Sequence, residues 1–310
     1  MTSNFLGLEF EPIKLEHKTV LQEHLRRFPQ RISGYTFASL AAWAEPYGFE
    51  WSRAGDDCVL ICRLSKPSGE RHLLQPIGVV NSDWCARLLA EARKLNYALK
   101  MLSVAKDFLD RHGPLCDQFT AEEDRSGANY IYLARDLAEL SGRRYAKKRN
   151  LITQFSKLYP DWTATPLDPR CGPPCVAVLL AMAHGEGVAT DDSTLQAELK
   201  AVDFTMHHFE ELEQRGMMIR IGDEPVAFSI FECVGLETAA VHFEKASREH
   251  KGLYQMINRE TSRMVTAVGC HLINREEDLG DEGLRQAKLS YFPLDIYPVY
   301  NLTITGSAER

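Results

Sequence analysis

Residues 217–246, MMIRIGDEPVAFSIFECVGLETAAVHFEKA, decide the fold. Apolar and β-branched residues fill three short runs, broken at Gly222-Asp223 and again near Gly235, so the segment reads as strand, turn, strand, turn, strand. This is an antiparallel meander. A helix is expected after it, from about residue 252 to 265. Two more are expected before it, over 176–183 and about 195–214, the second with Leu199, Val202, Met206 and Phe209 at helical spacing and Gly216 as its C′ residue.

The first half shows the same order more faintly. A helix with Leu15, Val20, Leu21 and Leu25 stops near Pro29, and strands over 58–64 and 73–80 flank the turn KPSGE. Asn81-Ser82-Asp83 then offers an N-cap to a helix with Trp84, Leu88, Leu89, Ala92 and Leu95, and a strand follows over about 99–104. Residues 135–159 read as one helix with SGRRYAKKRN in its middle and Leu151, Phe155 and Leu158 on its apolar stripe. The fold class expected is α+β, with an N-terminal domain at 1–135, a bridging basic helix and linker at 136–170, and a C-terminal domain at 171–310.

Composition agrees with a folded globular chain. The 310 residues suffice for about two domains, and 45% are hydrophobic and 25% charged. A formal charge of −7 excludes a chain that binds polyanions by bulk charge, so a nucleic acid would need a local basic patch. The longest apolar run, 176–183, is too short to cross a bilayer, and no basic-then-apolar leader opens the chain. A cytoplasmic protein, at most peripheral at the membrane, is expected. The eight cysteines are too sparse for a disulfide scaffold. Cys58/Cys62 and Cys171/Cys175 lack zinc-ribbon spacing, so no metal is expected.

Two unusual stretches, DLAELSGRRYAKKRNLITQF at 136–155 and INREEDLGDEGLRQAKLSYFP at 273–293, occur with VHFEKASREHKGLYQMIN at 241–258 and SGYTFASLAAW at 33–43. Together they resemble the bacterial family related to the C-terminal domain of phosphatidylglycerol lysyltransferase, over nearly the whole chain. The resemblance implies two tandem GNAT-like acyltransferase domains, as in the Fem-type transferases. It also implies aminoacyl-tRNA as acyl donor, with no tightly bound cofactor. The lysyltransferases carry a multi-helix membrane domain that moves the lipid, and none is read here. The acceptor expected is therefore a lipid or a small amine or hydroxyl compound.

Aminoacyl transfer needs a proton acceptor for the attacking group, a donor for the tetrahedral oxyanion and an anion for the α-ammonium. The block from Asn274 to Gly280, followed by Glu282, Arg285, Lys288 and Tyr291, is dense in such groups. The expected catalytic residues are Glu276, Asp278 and Lys288, with Glu244 facing them from the meander's third strand. Glu244 and Lys245 alternate in a strand, so only a bulge would turn both into one pocket. Asn274, Arg285 and Tyr291 are expected to hold the donor. Arg143, Arg144, Lys147, Lys148 and Arg149 form the chain's basic patch, and the i, i+4 pairs 143/147 and 144/148 place four of them on one broad helix face, where tRNA phosphates would bind. The plainer reading of these charges is structural, with Arg275 pairing Glu276 and Glu244 pairing Lys245.

The enzyme alternative uses acyl-CoA. A pyrophosphate cradle of backbone N–H groups would fall at Arg248–Tyr254, with Gly252 and Tyr254 in it, but Tyr254 stands where a second glycine would allow close approach. The non-enzyme alternative is a ligand sensor on the same fold. His207-His208 cannot both ligate one metal from a helix and read as surface. Tyr130, Tyr132, Trp43 and Trp51 read as core. No nucleophile elbow, HExxH, Walker or dinucleotide motif occurs.

Overall fold

Strands rich in Val, Ile and Phe, ended by Gly, Pro and Asx residues, assemble into two sheets in this computed structural model, which describes residues 2–235 and 237–305. The chain divides into two compact units. One comprises the chain up to Asn129, Glu277–Asp281 and the chain from Tyr297 on; the other comprises Tyr130–Glu276 and Glu282–Ile296.

The first unit contains a mostly antiparallel sheet. Its strands run in the spatial order Ser3–Phe5, Leu8–Pro12, Glu50–Arg53, Cys58–Leu64, Arg71–Leu74, Lys100–Ala105, Val299–Ile304, Phe119–Glu123. The helix Ser82–Ala92 crosses between Arg71–Leu74 and Lys100–Ala105, which pair in parallel. Asn81 caps it, its side chain accepting from the Trp84 N–H as its sequence position predicts. Leu60, Leu73, Leu88, Met101, Val104 and Leu302 lie in the core of this unit.

The second unit holds β1 (Asn129–Leu133, all but its first residue), α1 (Ala134–Glu139), α2 (Ala146–Leu158), β2 (Trp162–Pro166), α3 (Gly172–Gly185), α4 (Ser193–His207), β3 (Arg215–Ile221), β4 (Glu224–Val234), β5 (Thr238–Ala246), α5 (Leu253–Ala267), β6 (Leu272–Asn274), α6 (Glu282–Leu289) and β7 (Asp295–Tyr297, all but its last residue). The spatial order is β2-β3-β4-β5-β6-β1-β7. The expected meander is β3-β4-β5, and α5 crosses to β6, which pairs with β5 in parallel. Both units thus share one plan: a meander, a crossover helix, a parallel strand, and an antiparallel strand beyond it. In each sheet that antiparallel strand is remote in sequence from the parallel strand it joins, β1 in the second and Val299–Ile304 in the first.

This exchange corrects the expected domain boundaries. Residues 136–170 belong to the second unit, where α1 and α2 pack on α5, and the C-terminal strand belongs to the first. The single helix expected over 135–159 is also broken. Leu140 (φ 50°) and Gly142 (φ 82°) turn left-handed between α1 and α2, and Arg143–Tyr145 form one 3-10 turn. Gly216 is not a C′ residue but lies within β3, where a side chain would collide with the Ser229 carbonyl oxygen.

Candidate active site

β5 and β6 pair only from Thr238/Leu272 to Ala240/Asn274, after which β6 ends while β5 runs on to Ala246. The strands part, and side chains bridge the opening. A bulge against Ile230/Phe231 makes His242 the extra residue on β5 and shifts the alternation beyond it. Glu244 then meets Asn258 of α5, while Lys245 pairs with Glu198 of α4. The two are on opposite faces, so the bulge does not bring them into one pocket.

The centre of the opening is an Arg275–Glu244 ion pair. Arg275 Nη2 donates to Glu244 Oε1 at 2.6 Å, and Asn258 Nδ2 donates to the other oxygen at 3.2 Å. The two side chains are 13% and 10% exposed, which shields the pair from solvent. The guanidinium lies over the rings of Tyr132 and Tyr291, at 5.7 and 5.2 Å from their centroids. Burial raises both phenols' pKa values, against the pull of Arg275, so both stay protonated. Two atoms here are buried without a hydrogen-bond partner among the described residues: Arg275 Nη1, a donor, and Asn258 Oδ1, an acceptor.

Lys148 joins this group from α2. Its Nζ donates to Ser290 Oγ at 2.7 Å and sits 4.0 Å from the Tyr291 ring centroid. Burial, helped by the charges of Arg275 and Lys147, lowers its pKa to about 8. A second cluster lies beside the first: His242 Nδ1 bonds Glu276 Oε1 at 2.8 Å and Nε2 bonds Glu232 Oε1 at 2.7 Å. Burial alone would lower the imidazole pKa, but the two carboxylates outweigh it and raise it to about 10.

Glu276, at φ 57°, is held by His242, and its N–H donates to the Asn274 side chain. Asp278 is fully buried within the first unit, bonded to Arg125 and to the Gly280 N–H, which gives it a structural post instead of the catalytic one expected. Lys288 is buried and donates to the carbonyls of Arg275 and Glu276, stitching the chain beyond β6, with its Nζ 5.5 Å from the Tyr130 ring centroid. Arg285 pairs loosely with Glu282. Tyr291 is in the site and Tyr254 is half-buried near it.

The basic patch is divided. Arg149 caps the carbonyls of Leu140 and Gly142, Arg144 pairs with Asp136 and covers Phe292, and Lys148 turns inward. Arg143 and Lys147 remain exposed. Because Arg143 and Arg144 precede α2, the expected common helix face does not form. Gly252 (φ 93°) heads α5, and a Cβ there would strike the Leu151 carbonyl oxygen. Its missing side chain serves the packing of α5 on α2.

In the first unit the corresponding opening is stitched by neutral groups. Gln75 Oε1 accepts from the Ala105 N–H at 2.8 Å, and the Gln75 N–H donates to the Tyr35 hydroxyl, which donates to the Ser103 carbonyl.

Two GNAT-like units in tandem, one with a charged opening beyond its parallel pair, define the class as an acyltransferase-type fold. A tandem GNAT protein from the clavulanic acid biosynthesis pathway superimposes with a TM-score of 0.52 at 11% identity, over 96% of this chain and 98% of that one. The chain belongs to the phosphatidylglycerol lysyltransferase C-terminal family, whose model matches residues 25–303. A protein of unknown function from Bacteroides thetaiotaomicron is 31% identical, with a TM-score of 0.84 over 96% of this chain and 99% of that one. L-PGS from Bacillus licheniformis has the same fold, with a TM-score of 0.67 at 13% identity over 96% and 93% of the two chains. No curated protein gives a significant match. Among the described residues no helix is long and apolar enough to cross a membrane.

Proposed function

We propose that the second unit transfers an aminoacyl group from aminoacyl-tRNA to a lipid or small hydroxyl or amine acceptor. One observation carries this reading: an unpartnered donor, Arg275 Nη1, and an unpartnered acceptor, Asn258 Oδ1, sit on the two residues that grip Glu244. Buried polar atoms are nearly always satisfied, and leaving one unmade costs about 1–3 kcal/mol. An α-aminoacyl ester offers both counterparts a few bonds apart. Its carbonyl oxygen would accept from Arg275, and its α-ammonium would donate to Asn258 and lie against the Glu244 carboxylate.

The chemistry follows from these roles. The acceptor's oxygen or nitrogen attacks the ester carbon and passes its proton to neutral Lys148. The oxyanion forms against the Arg275 N–H. The carbon–oxygen bond to the ribose then breaks, and Lys148 returns the proton to the leaving ribose oxygen. The first unit, its opening filled by Gln75 and Tyr35, takes a structural part.

The acyl-CoA reading is less well supported, because Gly252 is occupied in helix packing and a simple acyl group has no N–H for Asn258. The test is transfer of radiolabel from a charged-tRNA mixture to phosphatidylglycerol vesicles and to a panel of small amines, beside parallel reactions with acyl-CoA. Label moving from tRNA supports the proposal. Label moving only from acyl-CoA overturns it.

A further inference from the structure

Cys233 and Cys270 lie outside the cluster around Glu244 and take no part in the chemistry above. Cys233 is the penultimate residue of β4, in register with Ala239 of β5, and is exposed. Cys270 lies just before β6 and is buried. Their sulfurs are 3.2 Å apart. The backbone around them is firmly stitched: the N–H groups of His271 and Leu272 both donate to the Glu237 carbonyl, at 2.8 and 2.9 Å, and Thr238 and Leu272 open the parallel pair. The thiols therefore meet without rearrangement of either strand.

We propose that Cys233 and Cys270 form an oxidisable dithiol, a covalent modification site for low-molecular-weight disulfides such as oxidised glutathione. The exposed Cys233 thiolate attacks one glutathione sulfur, the glutathione S–S bond breaks, and one glutathione thiolate leaves. The Cys270 sulfur then attacks Cys233 Sγ, the mixed disulfide breaks, and the second glutathione leaves. Two protein thiols are oxidised, one glutathione disulfide is reduced, and the two thiol protons pass to the two glutathione thiolates. The order follows from exposure. Burial and the neighbouring Cys233 push the Cys270 thiol up to about 12, with Arg215 opposing them, so Cys270 is the slower nucleophile and serves as the resolving one.

The bridge would close a loop holding β5 and α5, and with them His242, Glu244 and Asn258. Such a loop restricts the unfolded chain, so oxidation raises the melting temperature by roughly 5 °C.

The experiment incubates the full chain with oxidised glutathione, quenches with acid, and maps linked peptides by mass spectrometry, with thiol titration in denaturant. The expected result is loss of two of the eight thiols, a peptide pair joining Cys233 to Cys270, and reversal by reductant. Cys270→Ser should stop at a glutathione adduct on Cys233, and Cys233→Ser should give no bridge. Eight intact thiols in the wild-type chain, or an adduct on Cys233 that never resolves, overturns the proposal. The wild-type mapping is decisive by itself, so the test stands even where a variant folds poorly.

Discussion

Arg275 and Glu244 meet at 2.6 Å across two strands whose backbones have already separated, so a side-chain ion pair holds what the sheet no longer does. A planar guanidinium fixed between a carboxylate and two ring faces has little freedom, and its Nη1 direction is set by that fit. Breaking a buried pair on one side leaves a lone charge, which confounds stability with chemistry. Asn258 offers the cleaner probe.

Asn258→Ala removes the unpartnered acceptor and leaves the ion pair in place. The proposal expects KM for the aminoacyl donor to rise roughly tenfold, the size of one lost hydrogen bond to a charged group, together with a fall in melting temperature from the lost Asn258–Glu244 bond, which a purely structural Asn258 would show without the KM change. Arg275→Lys keeps the charge but loses the fork, and kcat should fall by about 10²-fold or more, as for a missing oxyanion donor. Steady-state kinetics on both variants check this. An unchanged KM in Asn258→Ala would remove the residue from the donor site.

Lys148, with its pKa lowered to about 8, supplies a pH signature. A proton acceptor works when neutral, so activity should climb with pH through about 8 and level off above it. Lys148→Met should remove that limb together with most of the activity, whereas Lys147→Met, on the exposed neighbour, should keep the limb and move it slightly to higher pH, because the Lys147 charge helps to depress the Lys148 pKa. A pH profile of kcat/KM on the three proteins separates these outcomes. A wild-type limb that persists in Lys148→Met assigns it to another group.

Much of this is legible in local sequence. The meander at 217–246, the Asn81 cap and the helix after Gly252 all follow from turn residues and apolar spacing, which act over a few residues. The exchange of β1 and Val299–Ile304 between sheets is not, because strand pairing across most of the chain leaves no local mark. Leu140 hides the break between α1 and α2, since leucine carries no signal for left-handed backbone. Glu244, Lys148 and Tyr291 stand out in the sequence by residue type and position. Their partner Arg275 reads there as the mate of its neighbour Glu276, but the bulge at His242 gives Glu276 to the imidazole. Asn258 escapes a reading by motif, although the sequence holds a clue: with Thr261 and Ser262 it interrupts the buried stripe of Met256, Ile257 and Val265, and buried polar residues on an apolar face ask for partners.

Gly252 separates the two donor readings. Gly252→Ala places a Cβ at φ 93° against the Leu151 carbonyl and should cost about 2–4 kcal/mol of stability. If the glycine instead admitted a pyrophosphate, CoA would raise the melting temperature of the wild-type chain, and Tyr254→Gly would enlarge that rise. Thermal melts with and without CoA should show the first effect and neither of the others. A CoA-dependent rise would return the loop to ligand binding.

His242 gives a stability test whose sign is fixed by its neighbours. Its folded pKa, about 10, lies above the ordinary 6.5, because Glu232 and Glu276 bond the imidazolium and outweigh the penalty of burial. The folded state therefore holds the proton more tightly than the unfolded chain. The resulting stability is complete below about pH 6.5, drains as pH rises, and is gone above about 10. Lys148 acts in the opposite sense, since its depressed pKa makes stability rise from about pH 8 upward, so wild-type melts alone would mix the two. The difference between wild type and His242→Gln isolates the imidazole. Urea unfolding should show the variant weaker by the largest margin near pH 6 and by a shrinking margin toward pH 10. A margin independent of pH would mean that His242 is neutral between its two carboxylates and that the opening is held by packing and the Arg275–Glu244 pair without it.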